Sequence, residues 1–197
     1  MYNISSLARK HDALRMLFML VAFLLGMGGP AFADDSTTPT LNDSSYYEIS
    51  TAAHLKWFAN KVNSGDQNIN GVLTADINLS DLKEAYWTPI ADYEKTTAIY
   101  GGKFNGQNHV ISGLVIRPIS GSGLFCAVKG AAISNLVIES ATLASDLSVD
   151  DVSSRNGLAV ICAYAHNTVI SNCHVKNVVL DPVSNWTKYK ITNLGCM

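Results

Sequence analysis

The apolar residues of "STAAHLKWFANKVNSG" recur three or four positions apart, which is the period of an α-helix with one buried face. The residues that form this stripe are Leu55, Phe58, Ala59 and Val62. Ser50 is a suitable N-cap, and Gly65 stands where a left-handed residue ends many helices. The sequence therefore predicts a helix from Thr51 to Asn63. The polar residues predicted to face water are His54, Lys56 and Lys61.

After this helix, apolar and polar residues alternate, as in a half-buried β-strand. The alternation is clearest in "VLTADINLS", where Leu73, Ala75, Ile77 and Leu79 are the apolar members. The segment "WTPI" contains a proline, which places it at a strand end or a sheet edge. In "FNGQNH", the pair Asn105-Gly106 is typical of a tight turn.

A six-residue pattern then appears four times, as "ISGLVI", "ISNLVI", "ISNCHV" and "ITNLGC". The copies begin at Ile111, Ile133, Ile170 and Ile191, at spacings of 22, 37 and 21 residues. The longer spacing contains the polar, loop-like stretch "ATLASDLSVDDVSSRN". Repeats of about 20 residues that contain strands and turns are typical of stacked units. We therefore expect an all-β fold, a right-handed parallel β-helix (β-solenoid), with the N-terminal amphipathic helix capping its first coil.

The third position of each copy is predicted to turn the chain. It is occupied by Gly113, Asn135, Asn172 and Asn193. Glycine and asparagine tolerate positive φ, so a corner here would place the apolar first and fourth positions on one interior. An antiparallel β-sandwich is the alternative. It explains the alternation equally well, but it does not explain four corners with the same chemistry.

The N-terminus has the pattern of a secretory signal peptide. Basic residues precede a ten-residue apolar run, and Ala31-Phe32-Ala33 matches a cleavage site. We expect a signal peptide at 1–33, a flexible linker at 34–45 and a repeat domain at 46–197, secreted or at the cell surface. An uncleaved anchor helix is the alternative, although the run is short for a membrane span. No membrane span is expected in the mature chain.

Charge argues against nucleic acid as a partner. The chain has 14 basic and 16 acidic residues. Loss of Arg9, Lys10, Arg15 and Asp12 with the signal peptide leaves 11 and 15, a net charge of −4. A mildly acidic chain without a basic run is a poor ligand for polyanions.

The repeat domain is predicted to be incomplete at its C-terminal end. The fourth copy stops at Cys196, one residue before the last, and no capping element follows it. We expect that the sequence is the front part of a longer protein. A partner that completes the stack is the alternative.

From about Tyr47 onward the chain resembles the GLUG-motif proteins of bacterial surfaces. The resemblance lies in "ISTAAHLKWFANKVNSG", "LTADINLS", "WTPI", "FNGQNHVISGL", "GLF", "ISNLVIES" and "ISNCHV", in this order. It implies a right-handed parallel β-helix in an exported, adhesin-like protein. The family tends to have glycine where this chain has Ala91, Cys126 and Cys162. The resemblance would place the two thiols on adjacent coils, and so implies a Cys126–Cys162 disulfide in the oxidised protein.

Motifs for catalysis are not found in the sequence. It contains no HExxH and no GxSxG. Ser122 lies between glycines, where turns favour serine anyway. Asp146, Asp150 and Asp151 share one loop that suits a hard cation, but a solvated loop explains them as well. The four cysteines show neither CxxC nor zinc-finger spacing, so we expect no metal and no cofactor.

These observations predict a non-enzymatic module of a surface or secreted protein that serves adhesion or acts as a stalk. Its partner would be a glycan or a protein of a host or cell surface. The alternative is a polysaccharide-processing enzyme, or an accessory domain of a secreted peptidase.

Overall fold

The computed structural model describes residues 37–92, 98–116, 121–143, 158–180 and 194–195. The chain separates into Met1–Ser36, which lies outside these ranges, and Thr37–Met197. The predicted signal peptide and the first three residues of the predicted linker, 34–36, therefore fall outside the described residues. Within the described ranges, no helix is both long enough and apolar enough to cross a bilayer.

The described part consists mainly of very short strands. Helix α1 is Ala52–Asn63, and a 3₁₀ turn covers Leu79–Leu82. The strands are β1 Thr40–Leu41, β2 Tyr46–Ile49, β3 Asn70–Leu73, β4 Ile77–Asn78, β5 Lys103–Asn105, β6 Val110–Ser112, β7 Val115–Ile116, β8 Phe125–Lys129, β9 Ala132–Ser134, β10 Val137–Glu139, β11 Thr142–Leu143, β12 Leu158–Ala159, β13 Cys162–His166, β14 Val169–Ser171, β15 His174–Lys176, β16 Val179–Leu180 and β17 Leu194–Gly195.

These strands form several small sheets. Their orders are β1-β2-β3-β5-β9-β14, β15-β10-β6-β4, β16-β11-β7, β12-β17 and β13-β8. The first pair, β1 and β2, is antiparallel, and the other described pairs are parallel.

The predicted right-handed parallel β-helix is wrong as a description of this fold. The described residues form small, separate, mixed or parallel sheets with one α-helix, and no solenoid is identified among them. The strands are two to five residues long, and their hydrogen bonds divide them among five separate sheets of two to six strands. The same alternation of apolar residues fits these separate ladders.

The register also corrects the predicted equivalence of the repeats. The second and third copies pair in the predicted register, because Ile133 is the partner of Ile170. The first copy does not, because Ile111 lies opposite Ile138, and Phe104 is the partner of Ile133. The six-residue pattern could not predict the pairing of Phe104 with Ile133, because the residues around Phe104 do not resemble an "ISN" segment. Ile191 lies outside the described residues.

Four buried aromatic rings lie at the centre of the core: Phe58, Tyr100, Phe104 and Phe125, each 0% exposed. The ring of Phe104 lies 5.7 Å from Phe58 and 5.4 Å from Phe125, both edge to face. Tyr100 stacks on Phe125 at 5.5 Å. Its hydroxyl donates to the carbonyl oxygen of Ile69, so the polar group is satisfied inside the core.

The predicted helix is present, and its apolar stripe is buried as expected. Its N-cap is Thr51 rather than Ser50, because the Thr51 side chain accepts from the backbone N–H of His54. His54 is 4% exposed, so the prediction that it faces water is wrong. Its ring turns back to the Ser50 backbone and hydroxyl, which lie 3.4 and 3.3 Å from Nδ1.

Candidate functional site

Four consecutive strands, β13 to β16, lie at the margins of four different sheets. Residues 162–180, which contain them, are called the edge segment below. Each of these strands pairs on one side with an earlier strand: β8, β9, β10 and β11 respectively. The edge segment thus presents one side of four ladders without a further strand among the described residues.

The interior side chains of the edge segment are less buried than those of the strands beneath it. Ile133 and Ile138 are 0% exposed, whereas their partners Ile170 and Val175 are only partly buried against the core. Cys162 is likewise partly buried, although its partner Phe125 is 0% exposed. The apolar interior is therefore incompletely covered at this margin.

Hydrogen bonds show which backbone groups of the edge segment point outward. Val169 N–H donates to Ala131, and Ser171 C=O accepts from Asn135. Since alternate residues of a parallel strand bond to opposite neighbours, Ile170 between them directs its N–H and C=O away from β9. In β15, His174 N–H donates to Leu136, and Lys176 C=O accepts from Ser140.

Val175 therefore directs its backbone groups outward in the same way as Ile170. Such groups are the usual template for pairing with an added strand.

The exposed side chains of the edge segment are apolar, basic or neutral polar, and none is acidic. The large apolar ones are Tyr164, Val169, Val178 and Val179, of which Val169 is 63% exposed. The basic or imidazole side chains are His166, His174 and Lys176, and residues 162–180 contain no Asp or Glu. The surface thus combines apolar contact area with a positive charge in a chain whose net charge is −2.

The predicted corner residues lie in tight turns. Gly113, Asn135 and Asn172 have φ of +67°, +52° and +51°. Asn193 lies outside the described residues. Asparagine is well suited to this left-handed conformation because its short polar side chain can bond locally.

The corner asparagines also form a row of side-chain hydrogen bonds. Asn135 donates from Nδ2 to Asn105 Oδ1 over 3.0 Å, and Asn172 donates from Nδ2 to Asn135 Oδ1 over 2.7 Å. Asn108 Oδ1 lies 3.3 Å from the same Asn172 nitrogen. Sequence reasoning missed Asn105 and Asn108, because they precede the first six-residue copy. We call the Asn105–Asn135–Asn172 row the asparagine ladder.

Cys126 and Cys162 are thiols in the structure, not a disulfide. The ladder pairs Cys162 with Phe125 and Tyr164 with Ala127, an offset of 37 residues, whereas the two cysteines are 36 apart. Successive side chains of a strand point to opposite faces, so this register places the two thiols on opposite faces of the β8–β13 pair. The structure therefore does not form the predicted bridge, which stays a prediction for the oxidised, exported protein.

A second polar pair was also missed by sequence reasoning. His109 Nδ1 lies 3.1 Å from Asp76 Oδ1, and the same oxygen accepts from the Val110 backbone N–H over 2.9 Å. The backbone hydrogen bond, together with His109, lowers the pKa of Asp76. The two residues are 33 positions apart, so no local motif could reveal them. Their bonds are explained by the pairing of β4 with β6.

Of the residues considered for catalysis, the structure describes only Ser122. Ser122 is 3% exposed, and its carbonyl accepts from Ala159 N–H. Asp146, Asp150 and Asp151 lie outside the described residues. Among the residues that are described, no three His, Cys, Asp or Glu side chains are grouped to hold a metal ion.

One shallow pocket lies beside the 3₁₀ turn, lined by Leu79, Leu82, Glu84, Tyr86, Trp87, Gly113 and Val115. Its volume of about 10 Å³ is room for one water molecule. It is too small for a sugar or a peptide side chain, so the edge segment is the stronger candidate for a binding surface.

Comparison with known proteins finds no matching family model and no significant match among curated proteins or solved structures.

Proposed function

We propose that this chain is a non-enzymatic module of an exported protein, which serves adhesion or acts as a structural spacer. The edge segment is the observation that carries the proposal. A margin of four short strands with half-covered apolar side chains and outward backbone groups is a contact surface. The signal-peptide pattern and the resemblance to GLUG-motif surface proteins support export.

The polar residues nearest this margin have structural hydrogen bonds. Asn135 and Asn172 bind each other, and Asn177 donates to Glu139 across 3.2 Å. These bonds hold neighbouring turns together, which suits a scaffold that must keep its shape outside the cell.

The experiment uses the purified full chain on an array of glycans and an array of extended peptides. In parallel, polygalacturonate is incubated with native and heat-denatured protein. Saturable binding to either array, with polygalacturonate left intact, supports the proposal. Release of oligouronides by the native sample above the denatured one would overturn it.

A further inference from the structure

We propose that the edge segment binds an acidic polypeptide as an added β-strand, with apolar side chains alternating with carboxylates. This inference rests on the proposed function and names the partner class for the same surface. Strand addition to an open sheet margin gains affinity from backbone hydrogen bonds and specificity from alternate side chains.

The backbone supplies the pairing groups. Ile170 and Val175 both direct N–H and C=O outward, as their neighbours' bonds to Ala131, Asn135, Leu136 and Ser140 require. They lie on either side of the turn at Asn172. An incoming strand can therefore pair with β14 or β15, and a longer one that bends at this turn can pair with both.

The side chains of Ile170 and Val175 determine which positions of the partner strand should be apolar. Ile170 and Val175 are partly buried, and their counterparts Ile133 and Ile138 are completely buried by the strands that cover them. An apolar side chain placed over Ile170 or Val175 would complete the same arrangement. Val169, 63% exposed, adds apolar area on the opposite face of β14.

Charge decides between an acidic strand and a second copy of this chain. Lys176 is exposed, and residues 162–180 have no carboxylate. On the strands beneath, the ladder partner of Lys176 is Glu139, and that of His166 is the exposed Lys129, so lysines outnumber carboxylates at this margin. A symmetric pair of edge segments would bring the ammonium groups of the two Lys176 side chains to one interface, whereas carboxylates on a partner strand would complement them. The occupant is therefore an acidic strand from another polypeptide.

The test measures binding of the full chain to two synthetic peptides by fluorescence anisotropy. One peptide alternates Val with Asp, and the other alternates Val with Lys. We expect the acidic peptide to bind at least tenfold more tightly at low salt, with the preference shrinking as salt rises. Equal binding, or preference for the Lys peptide, would overturn the charge argument.

Two matched variants test the backbone argument. Val175→Pro removes the outward N–H and should weaken binding of the acidic peptide about tenfold, as loss of one hydrogen bond of about 1.4 kcal/mol would. Val175→Thr keeps both the N–H and the shape of the side chain, and should bind nearly as the parent does. Lys176→Glu should reverse the peptide preference.

Hydrogen exchange keeps the inference testable if Val175→Pro disturbs folding. In the unmodified chain, the amides of Ile170 and Val175 should exchange fast when free and slowly with the acidic peptide bound. Slow exchange without peptide would mean that this chain or a second copy already covers the margin, and the inference would fall. A dimer by light scattering would have the same meaning.

Failure of this inference is distinguishable from failure of the proposed function. A chain that binds glycans but neither peptide overturns the acidic-strand partner and leaves the adhesive role standing. A chain that degrades polygalacturonate overturns the role itself.

Discussion

Asn172 donates a side-chain hydrogen bond to Asn135 over 2.7 Å, and both residues have positive φ. One residue type thus does two things at each turn: it adopts the left-handed backbone and links that turn to the next. Glycine satisfies only the first requirement, and alanine satisfies neither. This difference allows the two contributions to be measured separately.

The asparagine ladder predicts a graded loss of stability at Asn135. Asn135→Ala removes the bonds to Asn105 and Asn172 and places alanine at φ +52°. We expect a loss of about 3 kcal/mol in the free energy of unfolding, from two hydrogen bonds and the left-handed backbone. Asn135→Gly should lose about 1 kcal/mol less, because glycine adopts this φ freely. Urea denaturation measures both, and equal losses would contradict the backbone part.

Gly106 lies so close to neighbouring backbone that adding a Cβ there should destabilise the fold. A Cβ at Gly106 would collide with the Asn135 carbonyl oxygen and lie 2.7 Å from Leu136 Cα. A Cβ at Gly71 would instead meet side chains, with Phe58 Cε2 at 3.0 Å and Phe104 Cδ2 at 3.1 Å. Backbone atoms can move less than side chains to relieve a clash. Gly106→Ala should therefore lower the free energy of unfolding by about 3 kcal/mol or more, and Gly71→Ala by about 1 to 2 kcal/mol. Thermal denaturation of the two variants checks the order; the reverse order would contradict it.

The Asp76 carboxylate predicts a pH-dependent contribution to stability. Its pKa is lowered in the folded chain by the Val110 N–H and by His109. A lowered folded pKa means that the stabilisation is present above the unfolded pKa near 3.8 and is lost as pH falls through the lower folded value. Asp76→Asn should therefore destabilise the chain at pH 7 and have a smaller effect at pH 2. Denaturant titration at the two pH values measures this. An effect that does not change with pH would show that charge is not involved.

Cys162 is predicted to be a slow nucleophile. Burial raises the pKa of its thiol to about 12, so almost no thiolate is present at pH 8. Iodoacetamide should label it much more slowly in native than in urea-unfolded protein, with the native rate rising up to about pH 12. The raised folded pKa also means that its contribution to stability is lost as pH rises above the unfolded value near 9.

Mass spectrometry of the intact exported protein serves as the control. A mass lower by two hydrogens would show one disulfide among the four cysteines, and a disulfide-linked peptide pair after digestion would assign it to Cys126 and Cys162. Labelling of Cys162 at the unfolded rate would contradict the effect of burial.

The sequence was informative where a feature is local. The stripe of Leu55, Phe58 and Val62 located the helix, because a period of 3.6 residues can be recognised within one short stretch of sequence. The preference of asparagine for positive φ pointed to Asn135 and Asn172. The N-cap was misplaced by one residue, since Ser50 and Thr51 have equivalent hydroxyls and only geometry decides between them.

The features that sequence reasoning missed depend on register. Ile111 was aligned with Ile133 because both begin "IS", yet Ile111 pairs with Ile138. A difference of one residue also separates the thiols of Cys126 and Cys162. The cysteines are 36 residues apart, whereas β8 and β13 pair residues 37 apart, and a shift of one residue places a side chain on the opposite face of the sheet. The edge segment could not be foreseen, because exposure of Ile170 and Val175 is a property of the neighbours they have.

Successive members of one ladder are separated by unequal lengths of chain: Phe104 and Ile133 by 29 residues, Ile133 and Ile170 by 37. The extra eight residues leave the pairing of Ile133 with Ile170 intact. Lengthening the chain that connects two paired strands costs little entropy. Residues can therefore be added or deleted between Leu143 and Leu158 without changing which residues of β9 and β14 pair, and a chain lengthened there by an epitope tag should still fold.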